Sequence, residues 1–390
     1  MVTLDIQEQI LDKLNALIVV VNNDGSADYV SKAAQNLLGY KPDELLGNNW
    51  WEATRFSKPE GIEVKRKLLN LFRNGNTSTQ TFEHVLKTSY GGQKWVRWSV
   101  SYLNDEQLIG IGYDITEKKN SERKLIEQNE KLTEQNKDIT SSIVYAKRIQ
   151  ESILQTSESI KQVFEESFLL YRPKDIVSGD YYWFYEDANF KYAAAVDCTG
   201  HGVPGAMMSM VANSAFKEVF LNKKISEPGL ILQALDEELE KSFSKNSNEP
   251  FNDGMDVGLI QINKTTNELK FSGAFRSIIV ANAGGINELR GSRYPLGFYS
   301  GVNKVFDTTI VQLQKGDHIY LYTDGYVDQF GGENNKKLNK VNFKELIRTA
   351  SEMEINEQEA FLEYSFNNWK QDEEQTDDVL VIGIKILIPK

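Results

Sequence analysis

At 390 residues the chain is long for a single hydrophobic core, and its 40% hydrophobic and 26% charged content is that of a folded protein, not a disordered or fibrous one. A formal net charge of −12 gives a phosphate backbone little to bind, so nucleic acid is not an expected partner. The single cysteine, Cys198, excludes an intrachain disulfide and fits a reducing compartment, while three histidines argue against a histidine-rich zinc site. No apolar run has bilayer length and the opening MVTLDIQEQILDKL is acidic and amphipathic, unlike a signal or transit peptide, so a cytoplasmic chain with no membrane partner is expected.

Residues 8–117 read as mixed α and β. ALIVVVNNDGSADYVS sets two apolar runs around NNDGS, a hairpin signal. SKAAQNLLGY and KPDELLGNNWWEA read as helical, each closing on a glycine as C-cap chemistry favours. QTFEHVLKTSYGGQKWVRWSVSYL alternates as two strands about Gly91-Gly92, and QLIGIGYDITEKK is a last strand leaving into a charged helix. The order is a strand pair, short helices, then three strands. Trp50 and Trp51 fit a core better than a ligand pocket, and His84 fits a structural strand residue better than a haem ligand. No cysteine lies in residues 1–117, so cysteinyl-flavin photochemistry is excluded there.

Residues 118–157 contain no Gly and no Pro. Leu125, Leu132, Ile139, Ala146 and Ile153 recur at steps of seven, and Asn129, Asn136 and Ile143 come four residues after the first three. With the leucine series at d, the asparagines fall at a, where they fix register and favour two strands at a cost in stability. The expectation is a helical coiled-coil linker and a parallel homodimer; a solvated connector helix is the plainer alternative.

Residues 158–389 carry short β-like runs, among them KYAAAVD, MDVGLIQI, KFSGAFRSIIVANAG, DHIYLYTDG and DDVLVIGIKILI, with helical stretches grouped at Pro204 to Leu221 and Asn342 to Trp369. That grouping predicts antiparallel sheet covered by helices, an α+β arrangement.

The acidic residues of this segment lie at strand ends. In SGDYYWFYEDANFKYAAAVDCTG a hairpin centred between Asp187 and Ala188 sets Asp180 opposite Ala195 and makes Asp197 its diagonal neighbour on the same face, about 7–8 Å away. Asp324 ends an apolar run before a glycine, and Asp377 and Asp378 begin one. One Asp-Gly is more often a turn than a ligand. Four such carboxylates without thiolate or imidazole partners select hard cations, Mg²⁺, Mn²⁺ or Ca²⁺. The glycine-rich loop after Asp197 offers carbonyl ligands and room for water and a phosphate, and two hard cations are a recipe for phosphoester hydrolysis.

YRPKDIVSGDYYWF, AAVDCTGHGVPGAMMSM, DGMDVGLI, YLYTDGYVDQFGG and TDDVLVIGI, in this order, resemble the bacterial PPM (protein phosphatase 2C-like) serine phosphatases, in the branch of sporulation and stress sigma-factor regulators. The first segment resembles a PAS sensor domain, with YDITEKK as its exit into a signalling helix. The resemblance implies a PAS domain over 8–117, a signalling linker over 118–157 and a PPM-type α-β-β-α sandwich over 158–389. It implies a serine/threonine protein phosphatase using two divalent cations, Mn²⁺ or Mg²⁺. Asp197 would bridge them, Asp180 and the backbone carbonyl of Cys198 would complete one site, and Asp324 and Asp377 the other. Arg172, Lys174 and Arg276 fall in matching blocks as phosphate-binding candidates; His201 is a candidate acid or a loop-orienting residue. The implied substrate is a phosphorylated regulatory protein such as an anti-sigma-factor antagonist, and the PAS ligand is unknown. The chain departs from the family at Cys198, often Gly, and at Leu380, commonly Thr.

Two other readings fit the same residues: a phosphatase-like module that sequesters a partner without turnover, and a phosphatase for small phosphoesters. Retained carboxylates favour an enzyme.

Overall fold

The computed structural model describes residues 16–74, 78–244, 253–297 and 303–387. The chain divides into two compact units, Met1–Asn136 and Lys137–Lys390.

In the first unit, β1 (Leu17–Asn22), β2 (Ala27–Val30), β3 (Gln80–Lys87), β4 (Gln93–Asn104) and β5 (Gln107–Asp114) form an antiparallel sheet in the order β2-β1-β5-β4-β3. The predicted turn joins β1 to β2, with Asp24 accepting the Ser26 N–H at 2.7 Å. Helix α1 (Ala33–Leu38) closes on Gly39, at φ 79°. The expected second helix is instead two short turns, Pro42–Leu45 and α2 (Asn49–Ala53), because Gly47 between them pairs with Ala27 through two backbone hydrogen bonds of 2.9 and 2.8 Å. Helix α3 (Lys58–Asn74) is absent from the predicted elements: Pro59 and Gly61 interrupt its start, yet proline is tolerated in a first turn, where the N–H has no helical partner anyway. Trp50, Trp51, Trp98 and Leu86 are buried in this unit's core.

Helix α4 runs unbroken from Thr116 to Ile153. At its start the Thr116 hydroxyl accepts the Trp95 N–H at 2.9 Å. Most of its apolar series is uncovered: Leu125, Leu132 and Ile139 are 58%, 55% and 58% exposed. Its one buried residue is Gln150.

The second unit is a sandwich of two five-stranded sheets with helices outside both. After the short α5 (Ser159–Val163), one sheet runs β13-β10-β9-β8-β7 and the other β12-β11-β14-β17-β6. The first contains β7 (Asp180–Glu186), β8 (Phe190–Cys198), β9 (Met255–Asn263), β10 (Glu268–Ala274) and β13 (Thr309–Gln312); the second, β6 (Ser167–Arg172), β11 (Ile278–Asn282), β12 (Gly285–Leu289), β14 (His318–Tyr322) and β17 (Val379–Lys385); β15 (Phe330–Gly331) and β16 (Lys336–Lys337) form a separate two-stranded ladder. Alternation decides the layers. Ala193, Ala195, Tyr182, Phe184, Ile260 and Ile262 meet Ile319, Leu321, Leu380 and Ile382 between the sheets. On the opposite face, Ala194, Val196 and Leu259 pack on α6 (Gly202–Lys217) and α7 (Pro228–Ser244). A separate core joins Tyr320, Tyr322 and Val381 to α9 (Asn339–Ser351) and α10 (Ile355–Lys370), which come after the single turn α8 (Gly325–Asp328). KFSGAFRSIIVANAG is two strands in different sheets, and the chain crosses between them at Phe275–Ser277. Among the described residues no helix is long and apolar enough to cross a membrane.

Candidate active site

Asp180 faces Asp197 directly across β7 and β8, not diagonally. The hairpin turns over Asp187–Phe190, with Phe190 the first residue of β8, closed by the Asp187 N–H on the Phe190 carbonyl at 3.0 Å and by Asp187 Oδ1 accepting two further N–H groups at 2.8 Å. The centre therefore falls one residue later than predicted, which shifts the pairing by two and keeps both carboxylates on the predicted face. On the other side of β8, Asp197 pairs with Asp256 of β9. Asp180, Asp197 and Asp256 thus form a row across three strands. By alternation with Tyr182, Ala195 and Ile260, the row faces the cleft between the sheets. The second sheet brings Asp324 from the end of β14 and Asp377 from the start of β17.

One guanidinium holds part of this charge. Arg276 Nη2 donates to Asp197 Oδ2 and, at 2.9 Å, to Asp324 Oδ2, and lies 3.2 Å from Asp256 Oδ2. The preceding Phe275 sits at φ 61°, a costly conformation for a non-glycine residue that directs the crossover. A Cβ on Gly273 or Gly291 would meet the Arg276 carbonyl at 2.2 or 2.4 Å, so the two glycines let its backbone nest between the strands. Burial lowers the Arg276 pKa, but Asp197, Asp324 and Asp256 together raise it above its ordinary value.

Burial raises the Asp180 carboxyl well above the usual range, Asp197 raises it further, and the Thr323 hydroxyl, donating at 2.6 Å, opposes the rise. Burial likewise raises Asp197 against the pull of Arg276, and raises Asp256 to about 6. Asp377 is raised chiefly by burial, with the Asp378 N–H and the Lys174 charge opposing. Arg276 apart, the site is a cluster of desolvated like charges.

Asp256 and Thr323 were missed in the sequence, and Asp378 was noted there only beside Asp377. Asp256 lies in the quoted block DGMD, and extending the strand register from β8 to β9 would have found it. Thr323 joins the sheets: its hydroxyl donates to Asp180 and accepts the Leu380 N–H at 3.1 Å. Leu380, the departure from the family's threonine, therefore contributes its backbone. Asp378 is buried and accepts the N–H groups of Lys174 at 2.7 Å and Gly179 at 2.8 Å.

The other candidates divide. The Cys198 carbonyl faces Gly179, where a Cβ would stand 3.2 Å from it. The Arg172 guanidinium donates to Asn367 at 2.7 Å and lies over the Phe366 ring at 5.3 Å, engaged with α10 and not with the carboxylates. His201 Nδ1 lies 2.9 Å from Asp175 Oδ2 in an exposed pair just before α6.

The bare loop after Asp197 also has a cause within the chain. A Cβ on Gly205 would stand 2.1 Å from the Gly200 carbonyl oxygen and 2.9 Å from the Gly179 Cα, and one on Gly179 would stand 2.6 Å from that same oxygen. The close neighbour is the chain itself: the segment carrying Asp180 lies directly on the turn leading into α6.

Among the described residues no three His, Cys, Asp or Glu side chains are gathered at metal-holding distances; Arg276 pairs with the carboxylates instead. The donor set, carboxylates and a carbonyl with no sulfur or imidazole, fits a hard cation, and the raised carboxylates mark where added positive charge is stabilising.

By its fold, the second unit is a PP2C-type phosphatase domain. It resembles the solved SiaA-PP2C domain of Pseudomonas aeruginosa at 29% identity and a TM-score of 0.59, covering 64% of this chain and 98% of that one. The family model for Stage II sporulation protein E (SpoIIE) matches residues 191–387, just over half of the chain, which therefore belongs to that family. The PAS domain model matches residues 15–117. Among curated proteins, Sporulation kinase C of Bacillus subtilis is 25% identical over 139 residues, 34% of this chain and 31% of the kinase, so the chain matches about a third of that relative's length. The phosphatase domain of the cell-fate determinant SpoIIE from Bacillus subtilis, solved with a fragment of its regulatory domain, is a more distant likeness at 18% identity and a TM-score of 0.45, covering 57% of this chain and 63% of that one.

Proposed function

We propose that the chain is a metal-dependent protein phosphatase that hydrolyses a phosphoserine or phosphothreonine on a regulatory protein, controlled by its PAS domain. The observation that carries this reading is the row Asp180–Asp197–Asp256, with Asp324 and Asp377 brought in from the facing sheet. Asp197 would be shared by two cations, Mn²⁺ or Mg²⁺, with Asp180 and the Cys198 carbonyl on one side and Asp324 and Asp377 on the other. Two such cations, when bound, lower the pKa of a water and neutralise phosphoryl oxygens. Thr323, donating to Asp180, holds that end of the row in place. With its carboxylate partners engaged by cations, the Arg276 guanidinium is free to take a phosphoryl oxygen. His201, paired with Asp175, orients the loop before α6. The family supports a phosphorylated partner-switching regulator, such as an anti-sigma-factor antagonist, as substrate.

Hydrolysis of para-nitrophenyl phosphate with Mn²⁺, its loss with a chelator, and release of phosphate from a phosphoserine protein test the reading in sequence. No turnover of either substrate in metal-replete protein would leave a binding module. Zinc is expected to restore little of the rate to stripped protein, because zinc sites usually recruit nitrogen or sulfur. Full recovery on zinc alone would contradict the oxygen-only ligand set.

Control would run through α4. Gln150 donates to the Ser178 carbonyl at 2.7 Å and the Ser209 hydroxyl at 2.9 Å, and the Ser178 hydroxyl accepts the Asp180 N–H at 3.0 Å. The end of the helix is thus two hydrogen bonds from a proposed ligand. The exposed Leu125, Leu132 and Ile139, seven residues apart, support a parallel homodimer through this helix. Charged residues at Leu132 and Ile139 are expected to turn a sedimenting dimer into monomers. One residue inserted near Thr140 rotates the C-terminal part of the helix by about 100° and is expected to change the rate severalfold with both units folded. A monomer whose rate ignores the insertion would reduce the helix to a tether.

A further inference from the structure

The first unit contains a cavity of about 440 Å³, within the ~300–1,000 Å³ of small-molecule sites. Its walls are largely apolar: Val19, Trp50, Trp51, Leu68, Trp98 and Leu108 all line it. One lining residue does not belong in such a space. Arg55 is 4% exposed, and its Nε has no hydrogen-bond partner. Its Nη1 donates only to its neighbour Thr54, to the hydroxyl at 2.8 Å and the carbonyl at 3.3 Å. Its charge lies over the Trp51 ring at 5.7 Å. Among the described residues no carboxylate pairs with it. The nearby Glu60 accepts the Phe56 N–H at 3.1 Å and lies 3.3 Å from His84 Nε2. Burial pulls the guanidinium pKa down to about 10, with Glu60 only partly opposing.

A buried cation without a counter-charge is costly, and folded proteins rarely leave one unpaired. We propose that this cavity binds a small organic monocarboxylate, its carboxylate on Arg55 and its apolar body among Trp50, Trp51 and Trp98. A monoanion fits better than a phosphate because the other charges at the lining are already matched: Lys67 to Glu63 at 2.7 Å, and Glu83 to Arg97 and Lys119 at 2.7 Å each. The apolar walls exclude small hydrophilic anions, which would lose hydration that the cavity does not replace. The site is independent of the phosphatase reading.

The test uses the full chain. Octanoate and phenylacetate are titrated against their neutral amides and inorganic phosphate, reading tryptophan emission, since three tryptophans line the cavity, and thermal melting. At least one carboxylate is expected to saturate the emission change and raise the melting temperature, with its amide at least tenfold weaker. Arg55→Gln is expected to erase the preference for carboxylate over amide, and Arg55→Lys to keep part of it. No response to either carboxylate, equal binding of acid and amide, an equal response to phosphate, or an unchanged preference in Arg55→Gln would each overturn the proposal. The acid–amide comparison on the wild-type chain decides the matter even if the variant does not fold.

Discussion

Replacing Asp197 with asparagine is expected to lower phosphatase turnover by at least ~10³-fold while the fold persists. The side chain is nearly isosteric, so the row across β7, β8 and β9 keeps its packing. What disappears is the negative charge that both cations would share. Stability should change little in chelator, because two effects oppose. Asparagine loses the ion pair with Arg276, which keeps Asp324 at 2.9 Å and Asp256 at 3.2 Å. It also relieves repulsion on Asp180, whose carboxyl burial and Asp197 hold well above the usual range. Turnover at saturating Mn²⁺ and melting in chelator, measured on the same preparation, check both halves. Near-normal turnover in the variant would sink the shared-ligand assignment.

The second large effect is expected from a single methyl group. Gly205→Ala places a Cβ 2.1 Å from the Gly200 carbonyl oxygen and 2.9 Å from the Gly179 Cα, both backbone atoms that cannot rotate aside. Overpacking of this kind costs about 1–3 kcal/mol. The displaced segment contains Gly179, the residue before Asp180, and the turn containing Gly200 comes just after Asp197 and Cys198. Turnover is therefore expected to fall at least tenfold along with melting temperature. Elevated Mn²⁺ should recover part of the rate if the loss is misplaced ligands. A variant as stable and active as the parent would show that the loop tolerates the displacement.

The sequence revealed what depends on local pattern. Alternation in KYAAAVD and MDVGLIQI marked β8 and β9, and a carboxylate at each strand end marked one end of the sandwich. Register was less legible, because it depends on where the turn sits. EDAN, residues 186–189, read as the turn, whereas the Asp187 side chain caps a turn one residue later, and the pairing of Asp180 moved by two positions. Asp256 escaped because its meaning comes from β8 beside it, a long-range pairing. Helix α3 escaped because its first turn contains Pro59 and Gly61. Arg172 and Arg276 were equal candidates by position; only the crossover at Phe275 separates them, by turning one guanidinium into the cleft while the other reaches α10. Arg55 gave no signal, since an arginine after Ala53-Thr54 reads as surface until the chain folds over it.

Cys198 has a practical consequence. It is the chain's sole thiol, 2% exposed on the helix-packed face of β8 beside Asp197, and burial pushes its pKa well up. In the folded protein it should be nearly inert to alkylating reagents. The native chain can then accept an introduced cysteine, such as Leu132→Cys, for cross-linking or a spin label without first removing its own. Conversely, slow labelling of Cys198 becomes a clock for how often that strand end opens, and a slower clock with Mn²⁺ present would register cation binding where no substrate is available.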